Sequence, residues 1–238
     1  MNEYSFSILD NKGQVVKDFA VTHTKLMHVI VVRKDLAYFQ HLHPEFNQET
    51  GQFQFTNLVF PADGQYRIFA DFALNDSKKD EMGMPSSVTL SEDVTAGSME
   101  KYNTKSIGSE EATKVFDGYS VNLKTHGIPV SGKENMLMFS ISKKGKPVIN
   151  LEPYLGALGH SVILKENTLD FIHVHPMQDI KSKQTGDIDF MVDFPEAGKY
   201  KVFTQFQIAS KVITSEFVVS VASGAKNSIH DISEMHHN

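Results

Sequence analysis

At 238 residues with 40% hydrophobic composition, the chain is long enough for one large domain or for two of roughly 100 residues, each with its own core. A net charge of −6 without a run of Lys and Arg leaves no electrostatic footprint for nucleic acid, and no stretch approaches the ~20 apolar residues that would span a bilayer. Cysteine is absent, which excludes disulfide scaffolds, thiolate zinc sites, thiol redox catalysis and blue-copper centres.

The chain opens with Met1 to Asp10, which lacks the basic and apolar regions of a signal peptide. The first strong pattern is Leu26 to Arg33 followed by Leu36 to His43, two β-rich runs around Lys34-Asp35. A two-residue turn there pairs position i with 69 minus i, setting His28 opposite His41, with His43 two residues on and on the same face. Ile30, Val32, Ala37 and Phe39 continue that face as an apolar stripe, read as core-facing, with the histidines capping its end at the rim of a sandwich.

Gln52 to Phe55 and Gln65 to Phe72 alternate apolar and polar residues as half-buried strands do, and turn residues such as Pro61-Ala62-Asp63-Gly64 punctuate them. Ala96 to Thr113 is polar and without strand period, which reads as a linker. Asp117 to Thr125 then opens a second series with a strand that has no counterpart in the first, so the first module is expected to be the shorter. Met136 to Ser142 and Lys199 to Gln207 follow, and the polar end after Val221 reads as a loosely ordered tail.

Between these last two runs, the first histidine pattern returns 132 residues later as His160, His173 and His175, again closed by a proline. Gly13 to Pro44 lies on Gly145 to Pro176 without a gap at 8 identities in 32, and a two-residue shift aligns Phe60-Pro61, Gly64, Tyr66, Phe69 and Phe72 with Phe194-Pro195, Gly198, Tyr200, Phe203 and Phe206. A turn at Glu166-Asn167 pairs i with 333 minus i and repeats the geometry, His160 opposite His173 with His175 beside it, above Val162, Leu164, Leu169 and Phe171. The fold expected is all-β: two tandem antiparallel sandwiches of immunoglobulin or cupredoxin type related by duplication, at 1–96 and 114–223, joined by a linker at 97–113 and followed by a tail at 224–238.

A single histidine beside a strand-ending proline is usually a packed or hydrogen-bonded residue. Three that converge in register, twice, form the donor set of a metal site, so His28, His41, His43 and His160, His173, His175 are the expected ligands. Imidazole suits Cu(II), Zn(II) and Ni(II), with copper highest in the Irving–Williams order. Met27, Met82 and Met84 offer soft thioethers as accessory donors for copper, and His23, whose aligned partner is Leu155, is an accessory candidate peculiar to the first copy. His126 and the tail residues His230, His236 and His237 are read as solvent-exposed.

Three imidazoles and an open position also describe a zinc-dependent hydrolase, but the repeat-matched positions near the triplets share no Asp or Glu to serve as a base. A zinc-binding protein and an immunoglobulin-like structural or adhesion module with packed histidines are the other readings. The segments running from Met27-His28 to Phe39-Gln40-His41-Leu42-His43-Pro44, and Leu155-Gly156-Ala157-Leu158-Gly159-His160 with His173-Val174-His175-Pro176, resemble a family of bacterial extracytoplasmic tandem-repeat proteins associated with copper handling. Together with the histidine pattern, that resemblance points to a non-enzymatic copper buffer, carrier or resistance protein, outside the cytoplasm if a leader was removed and intracellular otherwise, with a copper donor or acceptor protein as partner.

Overall fold

The computed structural model describes residues 4–79, 83, 85–177 and 185–224; Met82, Met84 and the tail histidines lie outside them. The first module carries β1 (Tyr4–Phe6), β2 (Phe19–Ala20), β3 (Met27–Arg33), β4 (Phe39–Leu42), β5 (Glu45–Asn47), β6 (Gln52–Phe55), β7 (Gly64–Leu74) and β8 (Ser87–Ala96). One turn of 3-10 helix at Met99–Lys101 leads on to β9 (Thr113–Phe116), β10 (Tyr119–Thr125), β11 (Glu134–Lys143), β12 (Lys146–Pro147), β13 (His160–Lys165), β14 (Phe171–Val174), β15 (Asp187–Asp193), β16 (Gly198–Ile208) and β17 (Lys211–Val221). The fold is all-β, with every ladder between these strands antiparallel, and the two series build two sandwich modules.

Each module has an inner sheet of the same order, β4-β3-β7-β8 in the first and β14-β13-β16-β17 in the second. The outer sheets differ. In the first module β1-β6-β5 stands alone, whereas in the second β15 and β11 are extended by β10 and β9. The second module opens at β9, one element earlier than the strand expected at Asp117 to Thr125; Asp117 lies in the turn before β10, and among the described residues neither strand has an equivalent in the first copy.

The hairpins that carry the histidines depart from the expected turns. Arg33 N donates to Tyr38 O and Lys165 N to Asp170 O, so four residues rather than two make each loop. Leu36 and Leu169 adopt left-handed backbone at φ 59° and 60° yet are buried, so the burial of a leucine side chain offsets a conformation that costs about 1–2 kcal/mol. Ala37, expected in the apolar stripe, is exposed, and Leu36 holds that place. The register becomes Ile30 opposite His41 and Val162 opposite His173, a shift of two residues from the expected pairing in both copies. An even shift preserves the face on which each side chain stands, so the histidines remain together.

The stripe itself faces elsewhere than expected. Met27, Val29, Val31 and Leu42 fill the first sandwich, while Ile30, Val32, Leu36 and Phe69 join Val162, Leu164, Leu169, Phe203 and Val218 in a third core between the modules. β3 is buried on both faces for this reason. Phe39 stacks on Phe203 at 4.4 Å and Phe69 on Phe171 at 5.0 Å. Phe39 is the repeat mate of Phe171 and Phe69 of Phe203, so the inner sheets meet about a pseudo-twofold axis. The polar segment between the modules is fixed along this seam: Ile107 is buried in it, and Lys105 N donates to Asp35 Oδ2 at 2.8 Å beside the Arg33–Asp35 ion pair.

Candidate metal centre

β3, β4 and the residue after β4 bring His28, His41 and His43 to the end of the first inner sheet, and β13, β14 and the residue after β14 do the same for His160, His173 and His175. Because the inner sheets pack face to face, the two triplets meet at the seam, not at separate rims. Ring centroids within the first triplet are 5.4, 5.0 and 4.5 Å apart, and within the second 5.6, 4.6 and 4.7 Å. Across the axis His28 lies 6.1 Å from His160 and 5.6 Å from His173.

His23 also enters the cluster, from a left-handed position at φ 50° in the loop between β2 and β3. Its ring stacks on His175 at 3.6 Å. Two sets of three can each offer ligand nitrogens all within 4.8 Å of one another, His28 with His41 and His43, and His160 with His175 and His23, and either can hold a metal ion. His173 belongs beside the second set through Nε2, which lies 3.3 Å from Nδ1 of His160. Met27 does not take part: one residue from His28 on a strand, it points to the opposite face, into the first sandwich core.

The hydrogen bonds behind these rings decide what the rings present to one another. Nε2 of His160 is 3.3 Å from the Leu155 carbonyl oxygen, and Nδ1 of His173 is 2.9 Å from Asp71 Oδ2. Both oxygens accept, so both nitrogens carry hydrogen. A neutral imidazole then has its lone pair on the other nitrogen, and those two nitrogens face each other at 3.3 Å.

The first module repeats the arrangement. His28 Nε2 donates to the Thr22 carbonyl oxygen at 3.1 Å, His41 Nδ1 donates to Gln205 Oε1 at 2.7 Å, and His28 Nδ1 faces His41 Nε2 at 3.2 Å. Nε2 of His43 and of His175 are buried without a hydrogen-bond partner among the described residues. Lone pairs set nose to nose repel unless a cation, a proton or a metal ion, stands between them. Nitrogens separated by about 3.3 Å are spaced as two ligands of a four-coordinate ion with bonds of ~2.0–2.1 Å.

The orienting groups are exchanged between modules. Asp71, on β7, is paired across the ladder with His28 of its own module yet holds His173 of the other; Gln205, on β16, is paired with His160 yet holds His41. Thr89 on β8 donates to Asp71 Oδ1 at 3.0 Å, and its counterpart Thr214 on β17 accepts from Gln205 Nε2 at 3.1 Å. Two-way support of this kind fixes tautomer and ring orientation in metal sites.

Burial pushes the imidazoles of His23, His28, His41, His43, His160 and His175 down from the ordinary 6.5. Desolvation is the largest cause throughout and brings His28 to about 4, His43 to about 3 and His175 to about 2; His23, His41 and His160 are lowered as well, with neighbouring histidines adding to the effect. Neutral rings are the ligating form, so the low-dielectric seam keeps them competent for metal at neutral pH. The pairing of His23 with His175 was beyond sequence reasoning, because the aligned residue in the other copy is a leucine and the contact crosses the module boundary.

A family model described as a domain of unknown function, DUF8832, matches residues 1–82 and 113–223. No curated protein matches the chain. Among solved structures, fibronectin(III)-like modules of Clostridium thermocellum CbhA align with 99% of this chain and 90% of theirs, at 10% identity and a TM-score of 0.26, a likeness too slight to carry an argument.

Proposed function

For this chain, which belongs to the DUF8832 family, we propose metal-ion binding without catalysis: a buffer, carrier or resistance factor that holds copper in the seam between its two modules. Ligands are His28, His41 and His43 at one position and His160 and His175 at its twofold mate, where His173, facing His160, and His23, in the close set of three, complete the coordination. The observation that carries this reading is the pair of facing imidazole nitrogens, 3.2 Å apart in one copy and 3.3 Å in the other, on rings whose other nitrogens donate to fixed acceptors behind them. Packing of neutral rings alone leaves those contacts repulsive, whereas a metal ion between them makes them attractive.

Imidazole suits copper and zinc alike, and the Irving–Williams order puts copper first. With Met27 turned into the core, the thioether argument for Cu(I) loses its nearest donor, and Cu(II) is the state the nitrogens suit. Asp71 supports binding over hydrolysis: one carboxylate oxygen accepts from His173 and the other from Thr89, which leaves neither placed as a base for a metal-bound water. The place of action that accords with this reading is outside the cytoplasm.

Chelator-treated protein reloaded with equal Cu(II) and Zn(II), then desalted and analysed for both elements, tests the proposal against His41→Ala and His173→Ala. The expected result is two copper ions per wild-type chain and the loss of one in each variant. Zinc in place of copper overturns the choice of metal, and neither metal overturns the function.

A further inference from the structure

The first module is an incomplete copy of the second. In the second, β10 pairs with β11, β9 pairs with β10 and packs toward β17, and Phe116 of β9 lies 6.0 Å from Phe217 of β17, closing the mouth of the sandwich. In the first, β1 holds the place of β11 and β8 that of β17. Among the described residues β1 pairs only with β6, and the outer edge of β8 pairs with nothing. Between these two open edges lies a cleft of about 870 Å³ whose lining includes Phe6, Phe55, Phe60, Ile68, Leu90 and Val94.

One difference in the lining gives the cleft a chemical preference. Ile68 faces Glu92 across β7 and β8 as Val202 faces Phe217 across β16 and β17, so a carboxylate stands where the complete module has a fully buried ring. Glu92 is exposed and makes no ion pair among the described residues. In the second module Lys114 of β9 holds its ammonium 5.8 Å from the Phe217 ring. A strand added in the same way to the first module sets such a lysine against a carboxylate.

We propose that the cleft between β1 and β8 is a docking site for an extended or hairpin segment of a partner protein, taken up by strand addition, with alternating apolar side chains and a Lys or Arg directed at Glu92. Main-chain pairing with the open edges supplies affinity, the apolar lining accepts every second side chain, and Glu92 selects the basic residue.

The chain contains its own probe. A synthetic peptide of residues 112–126 with Tyr119→Trp reports binding by fluorescence, since the protein has no tryptophan. Saturable binding to the whole protein is expected, at least tenfold weaker for the same peptide with Lys114→Glu, and restored for that peptide by Glu92→Lys in the protein. Circular dichroism of the Glu92→Lys protein, altered only at an exposed residue, should match wild type. Absence of binding, or equal binding of both peptides to wild type, overturns the proposal. So does a concentration-dependent dimer in sedimentation that Leu90→Lys dissociates and the peptide leaves intact, which assigns the cleft to a second copy of the chain.

Discussion

The two modules agree most closely where they touch each other and least where they face away. Across the seam the stacked phenylalanines, the histidine pairs and the cross-strand Asp71–Thr89 and Gln205–Thr214 pairs recur about the pseudo-twofold axis. On the outer side, among the described residues, one copy has two more strands than the other in its second sheet, and Phe217 faces its core where Glu92 stands in the first. Packing constrains both copies of an interface at once, since a change in one must suit the other, whereas an outer sheet answers only to its own core. The seam is therefore the part of the molecule whose duplication has been held in register.

Breaking that seam should have the largest effect. Phe203→Ala removes a buried ring stacked on Phe39 and should cost about 3–5 kcal/mol in urea unfolding, more than an equivalent truncation at the open first-module cleft, such as Phe60→Ala. Equal costs at the two places would show that the modules are joined less firmly than their cores.

Acidification comes next. His28 has its ring at about 4 and His43 at about 3 in the folded chain, against 6.5 when unfolded. Folded values below unfolded ones mean that the unfolded chain takes up protons first. Stability is thus complete above pH 6.5 and is lost as pH falls through 6.5 toward 4, by up to ~1.4 kcal/mol per pH unit for each such histidine. Urea melts of chelator-treated protein at pH 7.5 and pH 5 measure this, and His28→Gln should flatten the dependence.

The asymmetry between Asp71 and Gln205 can be sharpened by exchanging them. A carboxylate behind a ligating imidazole raises its basicity, so Asp71→Asn should weaken the second-module site by about 10–100-fold in calorimetric metal titration. Gln205→Glu should strengthen the first-module site by about 10-fold. The smallest effect is expected from His23→Leu, which gives the first copy the residue its mate carries. It removes the ring stacked on His175 and one nitrogen of the second close set, leaving His160, His173 and His175 to hold the ion, so second-site affinity should fall by about 10-fold or less.

Much of this architecture can be read from the residues alone. Equal spacing of the two triplets places all six histidines on matching faces, and that holds even though Leu36 and Leu169 lengthen the loops and shift each register by two. The loop length is hidden because a leucine in left-handed backbone is not a turn signal; only the cavity waiting for its side chain makes it one. The direction of the stripe is hidden for a different reason. β3 reads Met-His-Val-Ile-Val-Val-Arg, apolar on both faces, so alternation cannot say which face meets its own sandwich and which meets the neighbour. His23 and the exchanged partners Asp71 and Gln205 depend on docking between modules, which no local pattern encodes.

The exchange of orienting residues makes each half of the chain depend on the other. His41 is steadied from the far half of the chain by Gln205, and His173 from the near half by Asp71, so a lone unit has rings without the neighbours that aim them. A lone unit would complete its centre only beside a second copy, and a single polypeptide supplies that copy at fixed proximity rather than by encounter.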